Sequence, residues 1–169
     1  MKTLAKRLTL FLFITAQLLC IMHASAALIN CQAQTSAPND EAAVRDVVKH
    51  LFETMQAKQT DAMRELFVPE GRLVSTFVRQ GQPTVRWLSL DDFAKLVAET
   101  KEPYRERMFK EEVRVQGNVA TVWGRYDFHV GERLTNCGVN SFQLLRTPQG
   151  WKIVHIASTI ITQGCQETK

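Results

Sequence analysis

Val113-Arg114-Val115-Gln116-Gly117-Asn118-Val119-Ala120-Thr121-Val122-Trp123-Gly124-Arg125-Tyr126-Asp127-Phe128-His129-Val130 decides the fold of this 169-residue chain. β-Branched and aromatic residues alternate with polar ones on both sides of a Gly-Asn turn, the pattern of a hairpin. Downstream, Gly138 to Arg146 and Trp151 to Thr162 repeat the pattern around Thr147-Pro148-Gln149-Gly150. From Glu111 to Thr162 the chain reads as a four-stranded meander. Strands this long cannot keep both faces in water, so one face needs a cover, and the upstream chain offers it as helices.

Asn39 or Asp40 caps a helix running to about Ala57, with Val44, Val47, Val48, Leu51, Phe52 and Met55 on one stripe. A short second helix opens at Thr60 or Asp61, turns Met63, Leu66 and Phe67 inward, and stops at Pro69-Glu70-Gly71. Leu73 to Arg79 and Val85 to Leu88 form a hairpin around Gln80-Gly81-Gln82-Pro83. Ser89 and Asp92 make a capping box for a third helix, which buries Phe93, Leu96 and Val97 and ends before Pro103. The mixed-sign stretch Lys101-Glu102 with Arg105-Glu106-Arg107 reads as a solvated loop. The order is helix, helix, hairpin, helix and meander, an α+β domain over residues 39–165 with a tail at 166–169.

The first 26 residues read as a secretion signal. Lys2, Lys6 and Arg7 precede an apolar run from Leu8 to Met22, and Ala24-Ser25-Ala26 offers a cleavage site. A retained anchor is the competing reading, but the run falls short of the ~20 residues a permanent span needs. Acylation at Cys31 would require a small residue where Asn30 stands. Residues 27–38 have linker composition. Without the signal, 18 basic residues stand against 17 acidic ones, a formal charge of +1, and no basic run is left to follow a phosphate backbone. No nucleic-acid partner is expected, nor a stable membrane span after signal removal. The expected location is the periplasm or the exterior of a bacterial cell.

Export makes disulfides durable. Cys20 leaves with the signal, and Cys137 and Cys165 bracket the last hairpin. If Arg146 faces Trp151, simple pairing puts Cys137 opposite Ile160, short of Cys165. A bridge then requires the chain to fold back after Thr162, which Gly164 permits. A free thiol or a pairing with Cys31 is the alternative.

The element order, with Cys137-Gly138-Val139, Phe142-Gln143-Leu144, Gly150-Trp151-Lys152-Ile153 and Gly164-Cys165, resembles the nuclear transport factor 2-like (NTF2-like) superfamily. The nearest likeness is to exported bacterial members described as lumazine-binding, ketosteroid-isomerase-like or SnoaL-like. The resemblance implies a cone-shaped fold, a strongly curved, mainly antiparallel sheet wrapped around three helices, with a cavity inside. It covers roughly residues 40–165 and transfers no catalytic residue.

Strand parity nominates a site. On Val119–Val130 the even positions, including Tyr126 and Phe128, form the apolar face expected to meet the helices. The odd positions, Trp123, Arg125, Asp127 and His129, are expected to face solvent or another subunit. In the last hairpin the same simple pairing puts Phe142 opposite His155 and Asn140 opposite Ala157, gathering Asn140, Phe142, Leu144, Trp151, Ile153 and His155 on one face. Tyr126, Phe128, Asn140, Phe142 and His155 are therefore the expected ligand-binding residues, with His155 and Tyr126 as catalytic candidates. Asp127 and His129 alone do not make a metal site, and His50 sits on a helix flank. Trp87 and Trp151 read as core.

Phosphate loops, dinucleotide turns, CxxC, HExxH and G-x-S-x-G motifs are all absent from the sequence, and no cofactor is expected. The leading expectation is an exported protein holding a small, largely apolar molecule. An isomerase, dehydratase or cyclase using His155 and Tyr126 is the alternative. A third reading is an envelope interaction module, with homodimer formation through the outer sheet face around Trp123.

Overall fold

The computed structural model describes residues 38–165. The expected signal, nearly all of the linker and the tail lie outside the described residues. Three helices, α1 (Pro38–Gln56), α2 (Thr60–Glu65) and α3 (Leu90–Glu99), accompany six strands. The strands are β1 (Phe67–Arg79), β2 (Gln82–Ser89), β3 (Tyr104–Gln116), β4 (Val119–Val130), β5 (Arg133–Thr147) and β6 (Gly150–Ile160). They form one curved sheet in the order β2-β1-β6-β5-β4-β3. Only β1 and β6 run parallel; every other neighbouring pair is antiparallel. The fold is the α+β one expected.

Local chemistry explains the elements. On α1, Val44, Val48, Leu51 and Met55 recur at helical spacing and are all buried, which turns that stripe onto the sheet. They meet Val122, Phe142, Leu144 and Ile153 in one core, where each buried side chain contributes about 1.5–3 kcal/mol. At α3 the Ser89 hydroxyl accepts the Asp92 backbone N–H at 3.1 Å and donates to the Asp92 carboxylate at 2.6 Å. This satisfies an otherwise unpaired helix-end donor. Gln80 and Gly81 both have positive φ, as a two-residue hairpin loop requires. Leu96 remains 43% exposed, against expectation, whereas Val97 is buried.

Three segments depart from the sequence reading. Pro69-Glu70-Gly71 does not end a helix. It lies inside β1, where pairing with β6 jumps from Phe67↔Ile153 to Arg72↔His155. Arg105-Glu106-Arg107 belongs to β3, not to a loop, and pairs with the far half of β4. Trp87, expected in the core, is 61% exposed on the outer face of β2 and packs near His155, ring centroids 6.0 Å apart.

Two bulges redistribute the faces of the sheet. In β5–β6 the register shifts between Gln143 and Leu144, so Phe142 faces Ile156 and Asn140 faces Ser158. The extra residue lies at Val154, and it sends His155 to the convex face. The same shift brings Cys137 opposite Ile161. The chain then turns back at Gly164, φ 73°, and the expected Cys137–Cys165 disulfide closes. In β3 the register shifts between Phe109 and Glu112, with Lys110 at φ 53°. That one-residue slip turns Val113 and Val115 inward on one side of the bulge and Tyr104, Glu106 and Met108 inward on the other.

Candidate functional site

The concave face and helices α1 and α3 enclose a cavity of about 370 Å³, within the ~300–1,000 Å³ range of ligand pockets. Leu51, Phe52 and Met55 of α1 and Phe93 and Leu96 of α3 form its roof. Leu73, Leu88, Tyr104, Phe128, Phe142, Ile156 and Ile160 make its floor and sides. Of the residues expected from sequence, Tyr126, Phe128, Asn140 and Phe142 line the cavity. His155 does not. The Val154 bulge places it on the convex face, so, contrary to expectation, His155 and Tyr126 do not share the cavity. His50 also stands apart, exposed beside Glu53 at 3.4 Å.

Glu106, expected in a solvated loop, lies on β3 in the cavity wall. Its carboxylate accepts the Asn140 amide N–H at 2.5 Å, and the Asn140 carbonyl oxygen accepts the Ser158 hydroxyl at 2.7 Å. Burial is the main influence on Glu106 and pushes its ionisation up from the ordinary 4.5 to about 7. The Asn140 bond pulls the other way, and the Asp127 charge adds a smaller upward push. Its side chain lines the cavity, so a carboxyl shifted toward its neutral form faces the ligand space. The available sequence signal was Tyr104-x-Glu106-x-Met108, a period-two trio in register with Phe128 and Tyr126.

Tyr126 is committed to the scaffold. Its hydroxyl lies 2.8 Å from the Asn136 carbonyl oxygen and 2.9 Å from the Thr159 carbonyl. Both are acceptors, so the single phenol proton points into protein rather than into the cavity. Burial first, then the Glu106 charge, raises its pKa further. Tyr126 is therefore a neutral phenol that offers the cavity only a lone pair.

On the convex face the structure corrects a second expectation. Asp127 and His129 are each 1% exposed rather than solvated. The Arg107 guanidinium forks onto Asp127 with contacts of 3.0 and 2.7 Å, and His129 Nδ1 lies 3.5 Å from Asp127. A buried carboxylate and imidazole thus sit under a half-exposed guanidinium beside Cys137, the cross-strand partner of Asp127. Among the described residues no group of three or more His, Cys, Asp or Glu could hold a metal ion. No described helix is long and apolar enough to cross a membrane.

Comparison with known proteins agrees with the fold. The family model described as "Putative lumazine-binding" matches residues 39–157. An NTF2-like protein with a cystatin-like fold from Novosphingobium aromaticivorans aligns with TM-score 0.60 and 17% identity, over 75% of this chain and 84% of that one. A "putative dehydratase" of the NTF2-like family from Streptomyces avermitilis aligns with TM-score 0.56 and 20% identity, over 73% and 96%. The beta subunit of a "putative aromatic-ring-hydroxylating dioxygenase" from N. aromaticivorans gives TM-score 0.59 and 14% identity, over 75% and 92%. At such identities the likeness is one of fold alone. No curated protein matches the sequence.

Proposed function

The chain belongs to the "Putative lumazine-binding" family of NTF2-like proteins, and from that premise we propose that it binds a small, largely apolar molecule in the cavity of its concave face. One observation carries the reading. Most of the cavity lining is aliphatic and aromatic, and among its fewer polar side chains Glu106, Asn140 and Ser158 are joined by hydrogen bonds into one cluster. Apolar walls supply affinity and a few placed polar groups supply orientation. Isothermal titration with 2-naphthylacetamide, a neutral two-ring probe, tests it. The native protein should bind, and Ile156→Trp, which fills the floor, should not. Equal heats from both would refute the site.

A catalytic reading rests on Glu106, because a carboxyl near 7 is poised as a general base. It ranks second for a geometric reason. Charge developing on a substrate needs a donor, and the Tyr126 proton is already given to Asn136 or Thr159. Binding is the simpler reading where the unengaged donors of the cavity, Ser75 and Arg86, stand two and three strands away from Asn140, the partner of the acid.

Export is part of the proposal. The apolar run with its Ala24-Ser25-Ala26 site and the Cys137–Cys165 disulfide both fit an oxidising compartment. N-terminal sequencing of envelope protein should start at Ala27, and a retained Met1 would refute it. Pairing of two copies through the outer sheet face is proposed on the exposure of Trp87 and Trp123, 61% and 46%. Sedimentation of native protein and of Trp123→Glu should give a dimer and a monomer. A monomeric native protein would sink this part.

A further inference from the structure

The cavity floor carries a polar row whose members are consecutive cross-strand partners. Asn140 of β5 faces Ser158 of β6, Ser158 faces Ser75 of β1, and Ser75 faces Arg86 of β2. All four line the cavity, and Glu106 extends the row through its bond to Asn140. With strands ~4.8 Å apart, Asn140 and Arg86 are separated by roughly 14 Å along the sheet. Beside the row, one rung further along the strands, run Phe142, Ile156, Leu73 and Leu88, again consecutive partners. An oriented floor results, with an apolar track, a hydroxyl-bearing track, an acid at one end and a guanidinium at the other.

Arg86 is the informative member. It is exposed at the cavity mouth, and no ion pair engages it among the described residues. The acids of α3 have other contacts. Asp91 pairs with Arg64 at 3.3 Å, and Asp92 takes the Ser89 hydroxyl. The Ser75 hydroxyl beside Arg86 has no partner among the described residues. A guanidinium and a hydroxyl on adjacent strands fit a planar acid group, whereas Glu106 and Asn140 at the other end of the row bring no cation to one.

We infer that the natural ligand is a small organic anion with an apolar body, its acid group held by Arg86 and Ser75 at the mouth and its body lying along Leu73, Ile156 and Phe142. This rests on the cavity being a small-molecule site and adds to it the charge and direction of the ligand. Glu106 then faces the end remote from the acid, where a hydroxyl or N–H of the ligand can donate to it.

The test uses matched acid and amide probes on two bodies, 2-naphthylacetate with 2-naphthylacetamide and 4-phenylbutyrate with 4-phenylbutyramide. Each is titrated into the native protein, Arg86→Gln and Arg79→Gln. Arg79 is an exposed arginine of the same hairpin outside the cavity, so its variant controls for net charge. In the native protein each acid should bind at least fivefold more tightly than its amide. Arg86→Gln should erase that preference while amide affinity stays within twofold, and Arg79→Gln should keep it. Acid and amide binding alike to the native protein, or a preference that survives Arg86→Gln or falls equally in Arg79→Gln, overturns the inference and leaves the cavity reading standing. Failure of all four probes overturns both.

Discussion

Replacing Glu106 by Gln should convert a pH-dependent protein into a less dependent one. A carboxyl with an ordinary 4.5 in the unfolded chain and about 7 in the fold holds its proton longer when folded. Between those values the native state binds more protons than the unfolded state, so stability falls as pH rises. The contribution is intact below pH 4.5 and is lost as pH passes through 7. The loss is on the order of 3 kcal/mol by pH 8. Gln keeps an acceptor for the Asn140 N–H and carries no charge at any pH. Urea unfolding of the two proteins at pH 5, 6, 7 and 8, with the disulfide intact, should start with similar midpoints and then diverge. By pH 8 the Glu106→Gln midpoint should lie about 1–2 M above that of the native protein. Taking the difference between the proteins cancels the other groups that titrate in this range. A constant offset across all four pH values would refute the claim that burial keeps this carboxyl protonated.

Tyr126→Phe should cost about 1–3 kcal/mol in unfolding free energy, because it removes the one phenol proton shared between the Asn136 and Thr159 oxygens; an unchanged midpoint would mean that the proton engages neither. His155→Ala should leave probe affinity within twofold, since the ring lies on the convex face beside Trp87, and a tenfold loss would return it to the cavity. Reducing the Cys137–Cys165 bridge, which spans a sequence separation of 28, should lower stability by about 3.6 kcal/mol in the chain-entropy account, read as matched denaturation curves with and without reductant. Gly138→Ala should be among the more damaging small substitutions, because its Cβ would come to 2.0 Å from the Thr159 carbonyl; native-like circular dichroism and an unshifted melt would contradict that.

The sequence carries most of the architecture and only part of the site, and the divide follows the bulges. Helix α1 is legible because Val44, Val48, Leu51 and Met55 keep one period throughout, and the β4–β5 faces are legible because alternation runs unbroken from Ala120 to Tyr126. A bulge leaves no such mark. Nothing in Ile153-Val154-His155-Ile156 says that Val154 is the surplus residue, so straight alternation carries His155 inward and Ile156 outward, the reverse of what is found. Glu106 is hidden by the same device in β3. Alternation extended back from Val113 and Val115 would place it outside, and its charged neighbours Arg105 and Arg107 disguise the strand as a loop. Asp127 and His129 mislead for another reason. Polarity argues for solvent, yet Arg107 arrives from a neighbouring strand to pair the acid, and a sequence does not announce pairing partners twenty residues apart.

The lone parallel pairing, β1 against β6, has a kinetic meaning. Strands β3 to β6 are neighbours in sequence and can zip together locally, as can the β1–β2 hairpin with α3. The two halves meet along β1 and β6, where Phe67 pairs with Ile153 and Arg72 to Phe77 dock beside His155 to Ile160, contacts more than eighty residues apart along the chain. Closing so long a loop is entropically slow, which makes this seam the natural last step of folding and the first to breathe. The cavity straddles it, with Ser75 and Arg86 on one half and Asn140, Ser158 and Glu106 on the other. An occupant lying across the seam clasps the two halves together. Amide exchange in β1 and β2 should slow when the cavity fills, while the β4–β5 ladder, already the best-buried part of the sheet, should exchange as before.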